Sequence, residues 1–556
     1  RPAAAGATLL ARAPWCGQPR RMPTLPSCVS GHRPWGALAL ATLAVVAPTN
    51  EAANCFRTLS KPLLQPPFSD NEVARMRQLL LGNMNFHGTG ATVASMGSTP
   101  ALDSERGYLF DMSRVSALAM SGILKLARTS LATVGSGSRL FPDDVDAAIQ
   151  NYVRWVKVVI GKDGQPGPDG APINSHNEGK WDISQQAPVR SSCSLQTDGA
   201  AVRAQAILAM VNRSASLDQR KELWEVAKFD LDWLAQGANI QQGSCDIWEE
   251  LGDGNMFWNR MAIRGALIMG YYVAQGMGDP WRTHKYFDAL DRFIGNPVAT
   301  HKVSRDDGLQ YIGECAVDAP HNGDCVAKEK NLDAAVILAL AHSGWTDFRQ
   351  VHGASLAPAS SPTAALVANT IRAHVDHWCD ILPINRLDTN QNVPGVLLGR
   401  YPRDTYGTHN FGNAWLVTSA ALASVLYQAA QHAAWEDALS PEVLAAWRRA
   451  LTAHSFAGTP SDFIAAGDAV LMRLHTHISK DNFHFHIYEQ IDRNNGEQYN
   501  AKDLTWSLTE VLSAVSERRL AMHYASGKQW WRRRRLRGEG ETSEGGGAQS
   551  GLPLFE

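Results

Sequence analysis

Two acidic clusters carry residue types suited to proton transfer. The first, Cys245-Asp246-Ile247-Trp248-Glu249-Glu250, sets adjacent carboxylates beside an indole, just ahead of the turn Gly252-Asp253-Gly254. A neighbouring negative charge and an apolar ring both disfavour ionisation, which is what a general acid needs. The second runs Tyr488-Glu489-Gln490-Ile491-Asp492 and on to Gly496-Glu497-Gln498, ahead of Ala501-Lys502-Asp503-Leu504-Thr505-Trp506. Glu497 precedes an expected helix start, where backbone amides would favour its ionised form and suit a general base. Two carboxyl groups of unlike proton affinity flanking a sugar ring are the machinery of glycoside hydrolysis. Taken singly, each cluster also reads as an exposed acidic loop or a helix cap.

Positioning two groups so far apart along the chain requires a large fold. The 556 residues are 44% hydrophobic and 19% charged, enough apolar sequence for a sizeable core. Lys plus Arg number 52 and Asp plus Glu 54, a net charge of −2 that argues against nucleic acid as a partner. The 17 Trp exceed the 16 Phe and 12 Tyr, a composition suited to stacking on sugars. From Ser113 onward, apolar residues recur at steps of three and four. Helices are expected at 113–128, from Pro142, and at 200–211, 217–235, 259–275, 281–294, 331–341, 363–379, 414–430, 441–452, 461–478 and 501–516. No alternating strand series and no fixed-period repeat interrupts them, so an all-α closed double ring of helices is the expected architecture.

No Walker loop and no Gly-x-Gly-x-x-Gly appears, and no metal or organic cofactor is expected. His475, His477, His484 and His486 read as structural or surface residues rather than metal ligands. Eight Cys are too few for a disulfide scaffold, although Cys315 and Cys325 flank a Gly-, Asp- and Pro-containing loop where a pair could form. Asn212-Arg213-Ser214 is a glycosylation sequon.

Several longer stretches resemble, in order, the hallmarks of glycoside hydrolase family 15, the fungal-type glucoamylases. These are Asp246-Ile247-Trp248-Glu249-Glu250, Gly399-Arg400-Tyr401-Pro402-Arg403-Asp404-Thr405-Tyr406 running to Gly412-Asn413-Ala414-Trp415, and Gly496-Glu497-Gln498 with Ala501–Ser507. Gln196-Thr197-Asp198-Gly199 with Arg203, and Lys330–Leu340, are shorter echoes. The resemblance implies an (α/α)6 barrel and an inverting hydrolase that releases β-glucose from non-reducing ends of α-1,4-glucans such as starch, glycogen and maltooligosaccharides. It implies Glu249 as general acid and Glu497 as general base. It also implies Tyr108, Arg114, Trp248, Glu250, Arg400, Asp404 and Trp415 as substrate-binding residues. Tyr108 would sit beside the developing positive charge, and Trp415 would line the next sugar site.

Two departures weaken that pattern. Where the family reads Trp-Thr-Arg-Asp-Ser, this chain reads Met112-Ser113-Arg114-Val115-Ser116; where it reads Trp-Gly-Arg-Pro-Gln, this chain reads Ser192-Cys193-Ser194-Leu195-Gln196. Losing a hydrogen bond from a charged group costs about 1.5–3 kcal/mol, tenfold or more in transition-state binding. The alternative expectation is therefore a catalytically impaired glycan-binding or regulatory relative, with Val115 and Ser192 in place of the sugar-binding Asp and Trp. Residues 1–53 are expected to be a signal and N-terminal extension, since after Met22 come Arg33, an apolar run from Trp35 to Val46, and small residues. That layout points to secretion or the secretory lumen, without stable membrane insertion. Residues 54–526 form the expected catalytic domain and 527–556 a disordered tail too short for an appended starch-binding module. A monomer is the expected state.

Overall fold

The computed structural model describes residues 55–97, 108–134, 143–190, 193, 195–316, 328–343 and 362–536, apart from short breaks at 215, 253, 408–410, 436–437, 454 and 481–483. All of them lie in the compact unit that starts at Glu51. The expected signal segment, Ser192 and the end of the chain beyond Leu536 fall outside the described residues.

The helices used below are α1 (Asp70–Asn83), α2 (Ser113–Val134), α3 (Asp143–Gly161), α4 (Thr197–Arg213), α5 (Leu217–Leu234), α6 (Phe257–Gly276) and α7 (Pro280–Ala289). Then come α8 (Ala335–Ser343), α9 (Pro362–Ile381), α10 (Leu416–Trp435), α11 (Pro441–Leu451), α12 (Pro460–Ile478) and α13 (Thr505–Leu536). Packing closes a ring: α2 lies against α4, α4 against α6, α6 against α8, α8 against α10, α10 against α13, and α13 back against α2. An outer layer follows in sequence alternation, with α3 on α2, α5 on α4, α7 on α6, α12 on α10 and α1 on α13, while α9 packs against α11. This is the (α/α)6 barrel.

The inner helix α8 is apolar on every face because it is covered on every face. In α8 every side chain from Ala335 to Leu340 is fully buried. Outer helices start at polar caps: Ser69 and Glu72 form a capping box on α1, Thr459 and Asp462 another on α12, and Ser216 caps α5. The α13 helix continues past Ser526, the expected domain boundary, to Leu536. The expected 281–294 helix is instead α7 followed by a π-turn at Leu290–Ile294.

Short strands decorate the entries to the inner helices. They are β1 (Ser95–Gly97), β2 (Phe110–Met112), β3 (Lys180–Asp182), β4 (Ala187–Pro188), β5 (Lys302–Ser304), β6 (Gln310–Ile312), β7 (Ala414–Trp415), β8 (Gln490–Ile491), β9 (Gln498–Tyr499) and β10 (Lys502–Leu504). They pair antiparallel as β2-β3-β4, β7-β8-β9, β5-β6 and β1-β10. The β2, β7 and β10 strands lead directly into α2, α10 and α13. Side chains on these lead-in segments are thus delivered to the N-terminal ends of the inner helices, where the helix dipoles favour anions.

Candidate active site

The acid loop is built by Asp246. Its fully buried carboxylate accepts the backbone N–H groups of Glu250 at 2.8 Å and Leu251 at 3.0 Å, and its carbonyl accepts that of Glu249 at 3.1 Å. Closing so tight a loop puts Glu249 at φ 64°, a left-handed conformation that costs a non-glycine residue about 1–3 kcal/mol and clusters at functional sites. Glu249 is ion-paired with Lys180 on β3, accepts the Gln196 amide at 3.1 Å, and lies 3.8 Å from Arg114.

The loop's other side chains face an aromatic enclosure. Trp248 packs against Trp415 and Trp506, each with ring centroids 5.7 Å away, and its indole N–H donates to Asp333 at 2.8 Å. Glu250 pairs with Arg400 at 2.9 Å and accepts the hydroxyl of Tyr401. The Arg400 guanidinium is forked onto Asp404, with bonds of 2.8 and 2.6 Å, and lies 4.9–5.3 Å from the rings of Trp248, Tyr401, Tyr406 and Trp415. Burial works against its charge, but Asp404 and Glu250 outweigh burial and hold its pKa above the usual value.

Behind this enclosure sits a buried lysine. Lys328 donates to Asp246 at 2.7 Å and to Asp333 at 2.5 Å, and its ammonium lies 4.5 Å from the Tyr401 ring centroid. Burial disfavours its charge, and the two carboxylates more than compensate, so its pKa is raised. Lys328 therefore joins the acid loop to the start of α8, whose Ala334 N–H in turn donates to the Arg400 carbonyl at 2.7 Å.

A further buried carboxylate in this cluster is Glu489. The pairing of β7 with β8 brings its backbone beside the start of α10, where its carbonyl accepts the Leu416 N–H. Its side chain accepts the Tyr108 hydroxyl at 3.2 Å and the Asn500 amide, while Tyr108 and Tyr406 share a 2.6 Å hydrogen bond. Burial raises its pKa to about 7, even though Arg400 and the Tyr108 hydrogen bond pull it down.

Glu497, the expected base, lies apart from this cluster. The β8-β9 hairpin turns between Asp492 and Glu497, so Glu497 sits on the exposed turn. Its carboxylate accepts only the nearby Asn495 amide at 3.3 Å among the described hydrogen bonds, and β9 rather than a helix follows it. Glu489 stood in the same acidic cluster of the sequence. Strand alternation cannot choose between two carboxylates on a hairpin whose register is unknown.

Of the other expected residues, Tyr108, Trp248, Glu250, Arg400, Asp404 and Trp415 converge here. Arg114 is buried, and its guanidinium goes to Asp198 at 2.6 Å and the Ile247 carbonyl at 2.9 Å. Val115 is buried in the main apolar core. Tyr401, Tyr406, Lys180, Lys328, Asp333 and Trp506 join the site beside the expected residues. Tyr401, Tyr406 and Trp506 lay within the stretches already quoted, whereas Lys180 carries no sequence signal. The histidines scatter to separate carboxylates, His475 to Glu72, His477 to Asp388 and His486 to Asp503.

Residues 74–516 match the family described as glycosyl hydrolases family 15. This chain belongs to that family. It is 25% identical over 495 residues to a glucoamylase of Blastobotrys adeninivorans, across 81% of this chain and 71% of that protein. It is 27% identical over 303 residues to glucoamylase 1 of Rhizopus oryzae, across 51% of this chain and 45% of that protein. It is 22% identical to the intracellular sporulation-specific glucoamylase of Saccharomyces cerevisiae, across 70% and 75%. Among solved structures, the Saccharomycopsis fibuligera glucoamylase superposes with a TM-score of 0.62 at 19% identity, covering 84% of this chain and 99% of that one. The family 15 glucoamylase of Hypocrea jecorina gives 0.60 at 20% identity, across 81% and 71%. These likenesses agree with the helical ring described above.

Proposed function

We propose that the chain is an exo-acting α-1,4-glucan hydrolase that inverts the anomeric centre, with Glu249 as general acid and Glu489 as general base. The observation that carries this is Glu489. It is a buried carboxyl with a pKa near 7, held by a tyrosine hydroxyl and an amide, in the same cluster as the Glu250–Arg400–Asp404 ion network. A base of that affinity is matched to removing a proton from water near neutral pH.

In this reading the sugar stacks on the Trp248, Trp415 and Tyr406 walls. Glu250 and Arg400 take its hydroxyls. Glu249 gives its proton to the leaving glycosidic oxygen, and the negative charge left behind faces Lys180 and Arg114. Glu489 takes a proton from the water that attacks the opposite face, and Tyr108 orients the base. Starch, glycogen and maltooligosaccharides are the substrates that suit such a site. The disulfides Cys55–Cys379 and Cys193–Cys245 among the described residues support an oxidising compartment such as the secretory lumen or the exterior. The decisive experiment is proton NMR of fresh maltoheptaose digests. Early appearance of β-glucose alone is expected; α-glucose as the first product would overturn the mechanism.

A second reading, a glycan-binding relative with an impaired site, draws on Arg114 and Val115. Arg114 is committed to Asp198 and the acid loop, and Val115 offers no hydrogen bond to a terminal sugar. A folded chain that binds maltoheptaose and releases no glucose would establish it.

A further inference from the structure

We propose that the Cys193–Cys245 disulfide is a positioning crosslink for the general acid, acting on Glu249 through Gln196. This rests on the hydrolase reading above. The bond joins the segment before α4 to the residue immediately preceding Asp246, and both cysteines are buried. In the family stretch quoted earlier the position of Cys193 is a glycine, so the crosslink is not part of that motif.

The path from sulfur to carboxylate is short. The Gln196 amide nitrogen donates to the Cys193 carbonyl at 3.1 Å and to Glu249 at 3.1 Å. Its two hydrogens thus span the crosslinked residue and the acid. Gln196 is 3% exposed and is wedged where Gly179 lacks a side chain; a Cβ there would lie 2.3 Å from the Gln196 carboxamide. Gly179 is followed by Lys180, which ion-pairs with Glu249, so the placement of Gln196 bears on Lys180 as well as on its own bond to the acid. Three hydrogen bonds run alongside the disulfide: Cys245 N–H to the Leu195 carbonyl at 2.8 Å, Ser244 hydroxyl to the same carbonyl at 3.2 Å, and Gln196 N–H to the Asn177 carbonyl at 3.1 Å. The covalent bond ties this segment to the acid loop itself. Glu249 sits at an unfavourable φ, which persists only where the surroundings over-determine it.

The test compares Cys193→Ser/Cys245→Ser with Cys55→Ser/Cys379→Ser, which removes the disulfide at the far end of α9. Initial rates on maltoheptaose are read as kcat and KM from pH 3 to 9, beside thermal midpoints. Removing the 193–245 bond should lower kcat roughly ten- to a hundredfold, the scale of an ångström misplacement of a reacting group. KM should stay within about twofold, and the alkaline limb of the pH profile should move. Removing the 55–379 bond should lower the thermal midpoint and leave both limbs in place. If the first double variant does not fold, Gln196→Leu breaks the same relay at the amide, and it should reproduce the kcat loss and the limb shift. An unchanged kcat and profile in a folded chain lacking the 193–245 bond, or in Gln196→Leu, overturns the crosslink proposal while wild-type activity leaves the hydrolase reading standing. A folded wild-type chain inactive on every α-glucoside overturns both.

Discussion

Replacing Glu489 by glutamine keeps the shape of the side chain and deletes one proton site. In the native chain that site is held at about 7 rather than the ordinary 4.5, because burial penalises the charge more than Arg400 and Tyr108 favour it. The folded state therefore binds this proton more tightly than the unfolded chain does. The resulting stabilisation is complete below about pH 4.5 and is lost as the pH climbs to about 7. The displacement amounts to about 3 kcal/mol. The amide of Glu489→Gln cannot ionise, so the variant escapes that loss. It should match wild type in stability near pH 4 and exceed it by about 3 kcal/mol above about pH 7.5. For a domain of this length that is a rise of roughly 3 °C in thermal midpoint. The same variant should lose about 10²- to 10⁴-fold in kcat, the usual contribution of a general base. Wild-type activity should rise with pH through about 7 as Glu489 ionises. Scanning calorimetry at pH 4 and pH 8, with glucose release at both, reads every part of this. A midpoint difference that does not change with pH would refute the electrostatic reasoning, and kcat within tenfold of wild type would refute the assignment of the base.

Glu497→Gln should leave kcat/KM on maltoheptaose within about twofold, since its carboxylate sits on an exposed turn; a loss beyond tenfold would return the base to that position. Lys328→Met strands Asp246 and Asp333 as buried carboxylates. It should cost about 3–5 kcal/mol in denaturant unfolding, and the acid loop should lose activity with it. Burial holds His301 and His432 near 4 and His374 near 3, below the ordinary 6.5, so each contributes stability above pH 6.5 that is lost as the pH falls. The loss reaches about 3 kcal/mol for His301 and His432 and about 5 kcal/mol for His374, and urea unfolding of His374→Gln from pH 7 down to pH 3 should show an acid limb flattened by about that amount.

Much of the scaffold was legible along the chain. Apolar residues at helical spacing identify α2, α4, α5, α6, α8, α9, α10, α11 and α12 to within a few residues, because each must bury one face or all of them. The first helix, α1, lies outside the expected helices, although Ser69 and Glu72 spell a capping box at its start. The acid loop was legible too, since Asp246 can organise its own following amides, and that local turn needs no distant partner. The Arg400–Asp404 fork is likewise contained within five residues of sequence.

Everything that depends on pairing across the chain had to wait for the fold. Which cysteines meet is decided by distance in space, and Cys193 and Cys245 are brought together by the packing of the loops before α4 and α6. Lys328 looks like any surface lysine until its two carboxylates close over it. Glu489 and Glu497 lie eight positions apart with similar neighbours, and composition cannot rank them. The pairing of β8 with β7 and β9 does so: it buries Glu489 beside the start of α10 and turns Glu497 out at the hairpin tip. A sequence states which side chains can exchange a proton, while only tertiary pairing decides which of them are buried deeply enough, and close enough to one another, to do so.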